Sequence, residues 1–120
     1  MQKQASPGAG RVGEMKTNND LRRMFRLLNK TWFKNRLEEP DVICYGNPSG
    51  DSGRTIWTEQ APTQIIFSKG LKPFPRLRAI VMLHEMAHLA VGNECLSMHG
   101  IRHCAELHRL YMAGAYDLLI

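Results

Sequence analysis

The sequence predicts an α+β domain made of an N-terminal helix, a small three-stranded antiparallel sheet, a central helix and a C-terminal helix. Apolar residues recur at helical spacing in residues 21–37. Three short segments between residues 41 and 68 are rich in β-branched and aromatic side chains, and two more helical segments follow them. Helices that lie outside the run of strands, rather than alternating with the strands, are typical of the α+β class.

Length and composition indicate one domain. At 120 residues, with 43% hydrophobic and 22% charged residues, the chain has the composition of a globular protein. Residues 1–17 have few apolar side chains, so we expect a flexible N-terminal tail there and a folded domain over residues 18–120. The longest apolar run, at residues 79–83, is far shorter than the roughly 18–20 residues that span a membrane, so no membrane partner is expected.

Cysteine usage and the N-terminal sequence predict an intracellular protein, either cytoplasmic or nuclear. The three cysteines, Cys44, Cys95 and Cys104, include no CxxC pair, so we expect buried thiols in a reducing compartment rather than a disulfide framework. The N-terminal residues lack the apolar core of a secretory signal, so secretion is not expected.

The first helix is predicted over Leu21–Leu37. The three residues before it, Asn18, Asn19 and Asp20, offer side-chain oxygens that can cap its N-terminus, and Pro40 prevents it from continuing. Five of its apolar residues share one face: Leu21, Met24, Phe25, Leu28 and Trp32.

A basic stripe on the same helix is the candidate nucleic-acid contact. Arg22, Arg26, Lys30 and Lys34 recur every four residues. The net charge is +5, and the whole excess lies in residues 1–40, which contain nine Lys or Arg and four Asp or Glu. Cations one helical turn apart can follow a phosphate backbone, although they also form ordinary solvated faces. DNA is therefore a candidate partner.

The remaining elements follow from local signals. Strands are predicted at residues 41–47, 54–60 and 63–68, with the turn cluster NPSGDSG between the first two. Pro75 suits the first position of the central helix, which runs to Val91 and ends at Gly92 and Asn93. This helix is apolar on most sides, so we expect it at the centre of the core. A last helix is predicted from about Met98 onward.

The central helix contains the pattern His-Glu-x-x-His at His84, Glu85 and His88. Histidines four residues apart share one helix face, with Cβ atoms about 5–6 Å apart, so both imidazoles can reach one ion. Glu85 is turned about 100° from His84 around the helix axis. That position suits a general base that takes a proton from a metal-activated water. Catalytic zinc usually has three protein ligands and one open position, so a third ligand is required.

The residues after this motif offer several third ligands. The pattern HExxHxxGxxH does not fit, because Val91 and Glu94 stand where it needs glycine and histidine. Four candidates remain near the last helix: His99, His103, Glu106 and His108.

From Leu21 to about Leu110 the sequence resembles the SprT-like zinc metalloprotease family. The resemblance is carried by LLNKTWFKNRL in the first helix, QIIFSKGL in the third strand, VMLHEMAHLAV around the motif and MHGIRH after it. It implies a zincin-like minimal metalloprotease domain with one zinc ion bound by His84, His88 and His99, and with Glu85 as the catalytic residue. It also implies a protein or peptide substrate, including proteins associated with DNA or crosslinked to it.

The sequence departs from the family pattern at His103, where family members often have an aromatic residue. We expect His103 either to be packed and hydrogen-bonded or to contact substrate or the residues that surround the metal ligands. Glu106 is a second candidate for such a contact, and it is also the alternative third ligand.

A rival interpretation is a non-catalytic module that binds nucleic acid or protein, with a structural zinc ion or none. A closed site with four protein ligands, including Cys95 or Cys104, would favour this rival. An open coordination position would favour the enzyme.

Overall fold

The protein is described by a computed structural model that covers residues 16–48, 50–59, 61–92 and 100–119. The elements in chain order are α1 (Asn19–Trp32), β1 (Val42–Gly46), β2 (Gly53–Thr58), β3 (Ala61–Ser68), a short 3-10 helix (Lys69–Leu71), α2 (Pro75–Val91) and α3 (Ile101–Ala113). The predicted α+β class and the predicted order of elements are confirmed. Most of the predicted tail, residues 1–15, lies outside the described residues.

The start of α1 matches its predicted cap. The side-chain oxygen of Asn18 accepts a hydrogen bond of 3.0 Å from the main-chain N–H of Leu21. Thr17 is also held in place, since its hydroxyl accepts a hydrogen bond of 3.2 Å from the N–H of Ile43. Thr17 therefore contacts the folded part of the chain at β1.

The end of α1 does not match the prediction, because the helix stops at Trp32 rather than at Leu37. Lys34 and Asn35 adopt left-handed backbone angles, with φ of 56° and 60°, which no α-helix can include. The buried side chain of Asn29 holds the returning chain by hydrogen bonds to the N–H and the carbonyl oxygen of Leu37. A tertiary contact thus ends the helix before the sequence pattern does.

The sheet is mixed, with the strand order β1-β3-β2. The prediction of an antiparallel sheet is correct for β2 and β3 but wrong for β1, which pairs in parallel with β3. β2 and β3 form a hairpin, and the chain between β1 and β2 passes to the far side of β3. The central strand β3 carries Ile65 and Phe67, both fully buried, so pairing on both edges suits its apolar character.

Helix α2 lies at the centre of the core, as predicted. Its side chains Met82, Leu83, Met86 and Ala87 are fully buried. They pack in one cluster with residues from the other two helices and from two of the three strands: Leu21 and Phe25 of α1, Ile43 of β1, Ile65 and Phe67 of β3, and Leu110 of α3.

Two further findings concern the cysteines and membranes. Cys44 is buried, as expected, whereas Cys104 is exposed on α3, so the expectation of burial was wrong for Cys104. Cys95 lies outside the described residues. Within the described ranges, no helix is both long and apolar enough to cross a membrane.

Candidate metal centre

Helix α2 presents His84 and His88 side by side. Pro75 occupies its first turn, and Gly92, with φ of 82°, ends it after donating its N–H to the carbonyl oxygen of His88. The helix is therefore continuous through the motif. Both imidazoles are half-buried, and their ring centroids are 5.1 Å apart.

A third imidazole joins this pair from α3. His103 lies in the first turn of α3 and is fully buried. Its ring centroid is 4.8 Å from that of His84 and 3.8 Å from that of His88. Each of the three residues offers a ring nitrogen, and these nitrogens all lie within 4.8 Å of one another. The three histidines are thus close enough to bind one metal ion.

A main-chain contact fixes the tautomer of His103. Its Nε2 lies 3.2 Å from the carbonyl oxygen of His84. A carbonyl oxygen can only accept, so Nε2 carries the proton and donates, while Nδ1 keeps the lone pair that a metal ion requires. Histidine ligands of metals commonly donate their other ring nitrogen to a carbonyl oxygen in this way.

The spacing of the three nitrogens fits a metal ion after a small adjustment. Zinc–nitrogen bonds of about 2.0–2.1 Å in a tetrahedral shell place the nitrogens roughly 3.4 Å apart. The widest pair would therefore close by no more than about 1.4 Å. The rings of His88 and His103 are stacked, with 16° between their planes, and would have to turn so that both nitrogens face the ion. Side-chain rotation within one rotamer well supplies movements of this size.

Of the other predicted ligands that the structure describes, Glu106 and His108 are not part of this cluster. His99 falls in residues 93–99, outside the described residues, so its predicted role stays a prediction. The carboxylate of Glu106 is bound by Arg109 through contacts of 3.1 Å and 2.6 Å. Arg109 also donates to the carbonyl oxygen of Trp32 at 3.0 Å, so this ion pair connects α3 to the end of α1. Among the described residues, the group that could hold a metal ion consists of the three histidines and does not include Glu106.

Glu85 is the buried carboxylate of the site, with 5% of its surface exposed. Thr55 of β2 donates a hydrogen bond of 2.6 Å to its Oε1. Burial raises the pKa of the Glu85 carboxyl above its ordinary value, because the carboxylate loses hydration. The hydrogen bond from Thr55 and the charge of Arg54 lower this pKa, while the charge of Asp51 raises it.

Thr55 and its neighbour Gly53 are site residues that the sequence did not indicate. The alternation of residues 54–60 predicted a strand, but it gave no sign that this strand lies against the motif helix. The one sequence signal that bears on these two residues is the alternation of side chains along a strand. It places Gly53 and Thr55 on one face of β2 and Arg54 on the other.

The predicted basic stripe on α1 is only partly available for a partner. Arg22 and Arg26 both form ion pairs with Glu39, at 2.8 Å and 2.9 Å. Lys34 lies beyond the end of α1, so it follows the other three cations in sequence but is not part of the helix. Lys30 and Lys34 are exposed, and the described residues contain no carboxylate within ion-pair distance of either.

Comparisons of this chain with protein-family models, with curated proteins and with solved structures give no match. The resemblance to SprT-like proteases therefore rests on the sequence motifs alone. The geometry around His84, Glu85 and His88 is an independent source of information about function.

Proposed function

We propose that this chain is a zinc-dependent metallopeptidase that hydrolyses peptide bonds with a metal-activated water. The observation that carries the proposal is the convergence of three imidazoles at one point, with the buried carboxylate of Glu85 on the same helix as two of them. Neutral imidazoles bind zinc as well as copper, iron and nickel, and the sequence resemblance favours zinc among these metals. Three protein ligands and one open position form the usual catalytic zinc site.

The zinc ligands in this proposal are His84, His88 and a third histidine near the start of α3. The position of His103 within the cluster supports His103, and the sequence resemblance supports His99. His99 and His103 are four residues apart in the sequence. Substituting each of them alone therefore shows which one binds zinc. In either case one zinc ion would be bound per chain.

Glu85 would act as general base and then as proton shuttle. Bound zinc would lower the pKa of a coordinated water to about 7 and polarise the substrate carbonyl. Glu85 would take one proton from that water as its oxygen attacks the carbonyl carbon, and would deliver this proton to the amine nitrogen as the C–N bond breaks.

An extended peptide is the substrate class that the surroundings of Glu85 favour. In the described part of the sheet, β2 is an edge strand. A peptide can pair with such an edge through main-chain hydrogen bonds, without requiring a particular sequence. Thr55 connects this strand to Glu85, so a peptide paired with β2 would lie beside the proposed base.

We further propose that the substrates include proteins bound or crosslinked to DNA. This follows from the sequence resemblance and is supported by the exposed cations Lys30 and Lys34. The ion pairs of Arg22 and Arg26 with Glu39 reduce the charge that the same surface offers.

A second candidate function is a non-catalytic module that binds nucleic acid or protein around a structural zinc ion. The presence of His103 in the cluster supports this second candidate. If His99 also bound the ion, the site would have four protein ligands. A shell of four protein ligands leaves no position for water and is typical of structural zinc.

Cleavage of an unfolded protein tests the enzyme directly. The zinc-loaded chain should degrade a reduced and alkylated protein, and a chelator should stop the reaction. Glu85→Gln should retain one zinc per chain and lose at least about 100-fold in rate, because it removes the base but keeps the side-chain shape. Equal rates for the two proteins would exclude Glu85 from the reaction, and no cleavage by the zinc-loaded parent would favour the non-catalytic module.

A further inference from the structure

We propose that Thr55 is a positioning residue that orients the Glu85 carboxylate, and that Gly53 provides the space for its second oxygen. This inference rests on the proposed function, because it concerns the residue that would act as the base. Neither residue belongs to the motif or to the set of candidate ligands. Both come from β2, and Thr55 precedes Glu85 by 30 residues along the chain.

The contact between Thr55 and Glu85 defines which carboxylate oxygen is occupied. Thr55 Oγ1 lies 2.6 Å from Glu85 Oε1, a short distance that is typical of a hydroxyl donating to a carboxylate. Since an ionised carboxylate only accepts, the proton of the hydroxyl must point at Oε1. Rotation of the carboxylate would break this bond, so Thr55 holds Oε2 in one direction.

Gly53 lies on the side of Oε2. A Cβ at this position would be 2.7 Å from Val81 Cγ1 and 3.4 Å from Glu85 Oε2. Gly53 does not have a positive φ, so its backbone conformation is open to other residues. The close approach of α2 is therefore the reason for glycine here, and its missing side chain keeps a Cβ from lying 3.4 Å from Oε2.

The sheet gives this arrangement its rigidity. Gly53 pairs with Phe67 and Thr55 pairs with Ile65 in the antiparallel ladder between β2 and β3. Phe67 and Ile65 are fully buried in the core against which α2 packs. The register shift in β2 falls after Ile56, so it leaves Gly53–Thr55 in regular pairing. The pairing of β2 with these buried residues of β3 thus fixes the position of Thr55 relative to Glu85.

Two substitutions of Thr55 are expected to have different effects on the orientation of the Glu85 carboxylate. Thr55→Val keeps the size and branching of the side chain but removes the donor, so Oε1 loses its partner and the carboxylate can rotate. Thr55→Ser keeps the donor. If Thr55 only stabilised the fold, Thr55→Val would lower the melting temperature and leave the turnover of the folded protein unchanged.

The experiment compares kcat and KM on a fluorogenic peptide for zinc-loaded parent, Thr55→Val and Thr55→Ser. Thr31→Val, exposed on α1 and outside the proposed peptide-binding strand, is the control. We expect Thr55→Val to lower kcat by at least about tenfold with KM and zinc content unchanged. Thr55→Ser should recover most of the loss, and Thr31→Val should behave as the parent.

Two outcomes would overturn the assignment separately from the function. If the parent cleaves peptide and the folded Thr55→Val variant keeps its kcat, or Thr55→Ser is as slow as Thr55→Val, Thr55 does not position the base. If the parent cleaves nothing, the proposed function fails and the catalytic assignment fails with it. A double-mutant cycle of Thr55→Val and Glu85→Met, measured by denaturant unfolding, gives the contact its own readout, because each substitution removes one partner of the hydrogen bond. Zero coupling would contradict the contact even in an inactive protein.

Discussion

The Nε2 atom of His103 in α3 lies 3.2 Å from the main-chain carbonyl oxygen of His84 in α2. This contact joins the two helices at the level of the motif and turns the other nitrogen of His103, with its lone pair, into a possible metal ligand. His103 is not part of the His-Glu-x-x-His pattern, but this contact places it beside that pattern.

The first prediction concerns the third ligand. Because His103 is in the cluster, His103→Ala should weaken zinc binding by more than about 100-fold, the upper end of the effect of losing a residue that only supports a ligand. The measurement is zinc affinity by competition with a chromogenic chelator. The comparison variant is His99→Ala. Full zinc affinity in His103→Ala, together with its loss in His99→Ala, would assign the ligand to His99 instead.

The second prediction concerns Glu106. Its carboxylate is bound to Arg109, which also contacts the carbonyl oxygen of Trp32. Glu106→Ala should therefore keep zinc affinity and lower the free energy of unfolding by about 1 kcal/mol, a small value because the pair is partly exposed and screened by solvent. Chemical denaturation with and without zinc measures both effects, with Arg109→Gln as the matched variant. Loss of bound zinc in Glu106→Ala would restore Glu106 as a ligand.

The third prediction concerns DNA binding by the α1 surface. Neutralising Arg22, Arg26, Lys30 and Lys34 together should weaken DNA binding and flatten its dependence on salt. The four cations are expected to contribute unequally, since Arg22 and Arg26 are paired with Glu39, whereas no described carboxylate lies within ion-pair distance of the exposed Lys30 and Lys34. Lys30→Gln with Lys34→Gln should cause most of the loss, and Arg22→Gln with Arg26→Gln should mainly reduce stability. Fluorescence anisotropy over a salt series checks this, and a parent protein that does not bind DNA would make the stripe a solvated surface.

The parts of the fold that sequence could predict depend on neighbours along the chain. The cap at Asn18, the entry of α2 at Pro75 and its end at Gly92 are set by side chains within one helical turn. The pairing of His84 with His88 is likewise a consequence of helical periodicity. These features need no knowledge of the rest of the molecule.

The parts that could not be predicted depend on contacts between residues more than one helical turn apart along the chain. The early end of α1 is set by hydrogen bonds between Asn29 and Leu37, and the parallel pairing of β1 is decided by where β3 lies. The inward position of His103 follows from how α3 packs on α2. The contact of Thr55 with Glu85 follows from the position of β2 as the edge strand beside Glu85. Alternation and periodicity identify a face of an element, but not the partner that it meets.

The central claim is that His84, His88 and a third histidine bind one zinc ion with a position left open for water. Elemental analysis of the purified chain, combined with X-ray absorption at the zinc edge, measures the stoichiometry and the ligand shell together. We predict one zinc ion per chain with three histidine nitrogens at about 2.0–2.1 Å and one further light-atom ligand that a small inhibitor such as a hydroxamate displaces. No bound zinc, or a shell of four protein ligands that the inhibitor leaves unchanged, would contradict the account.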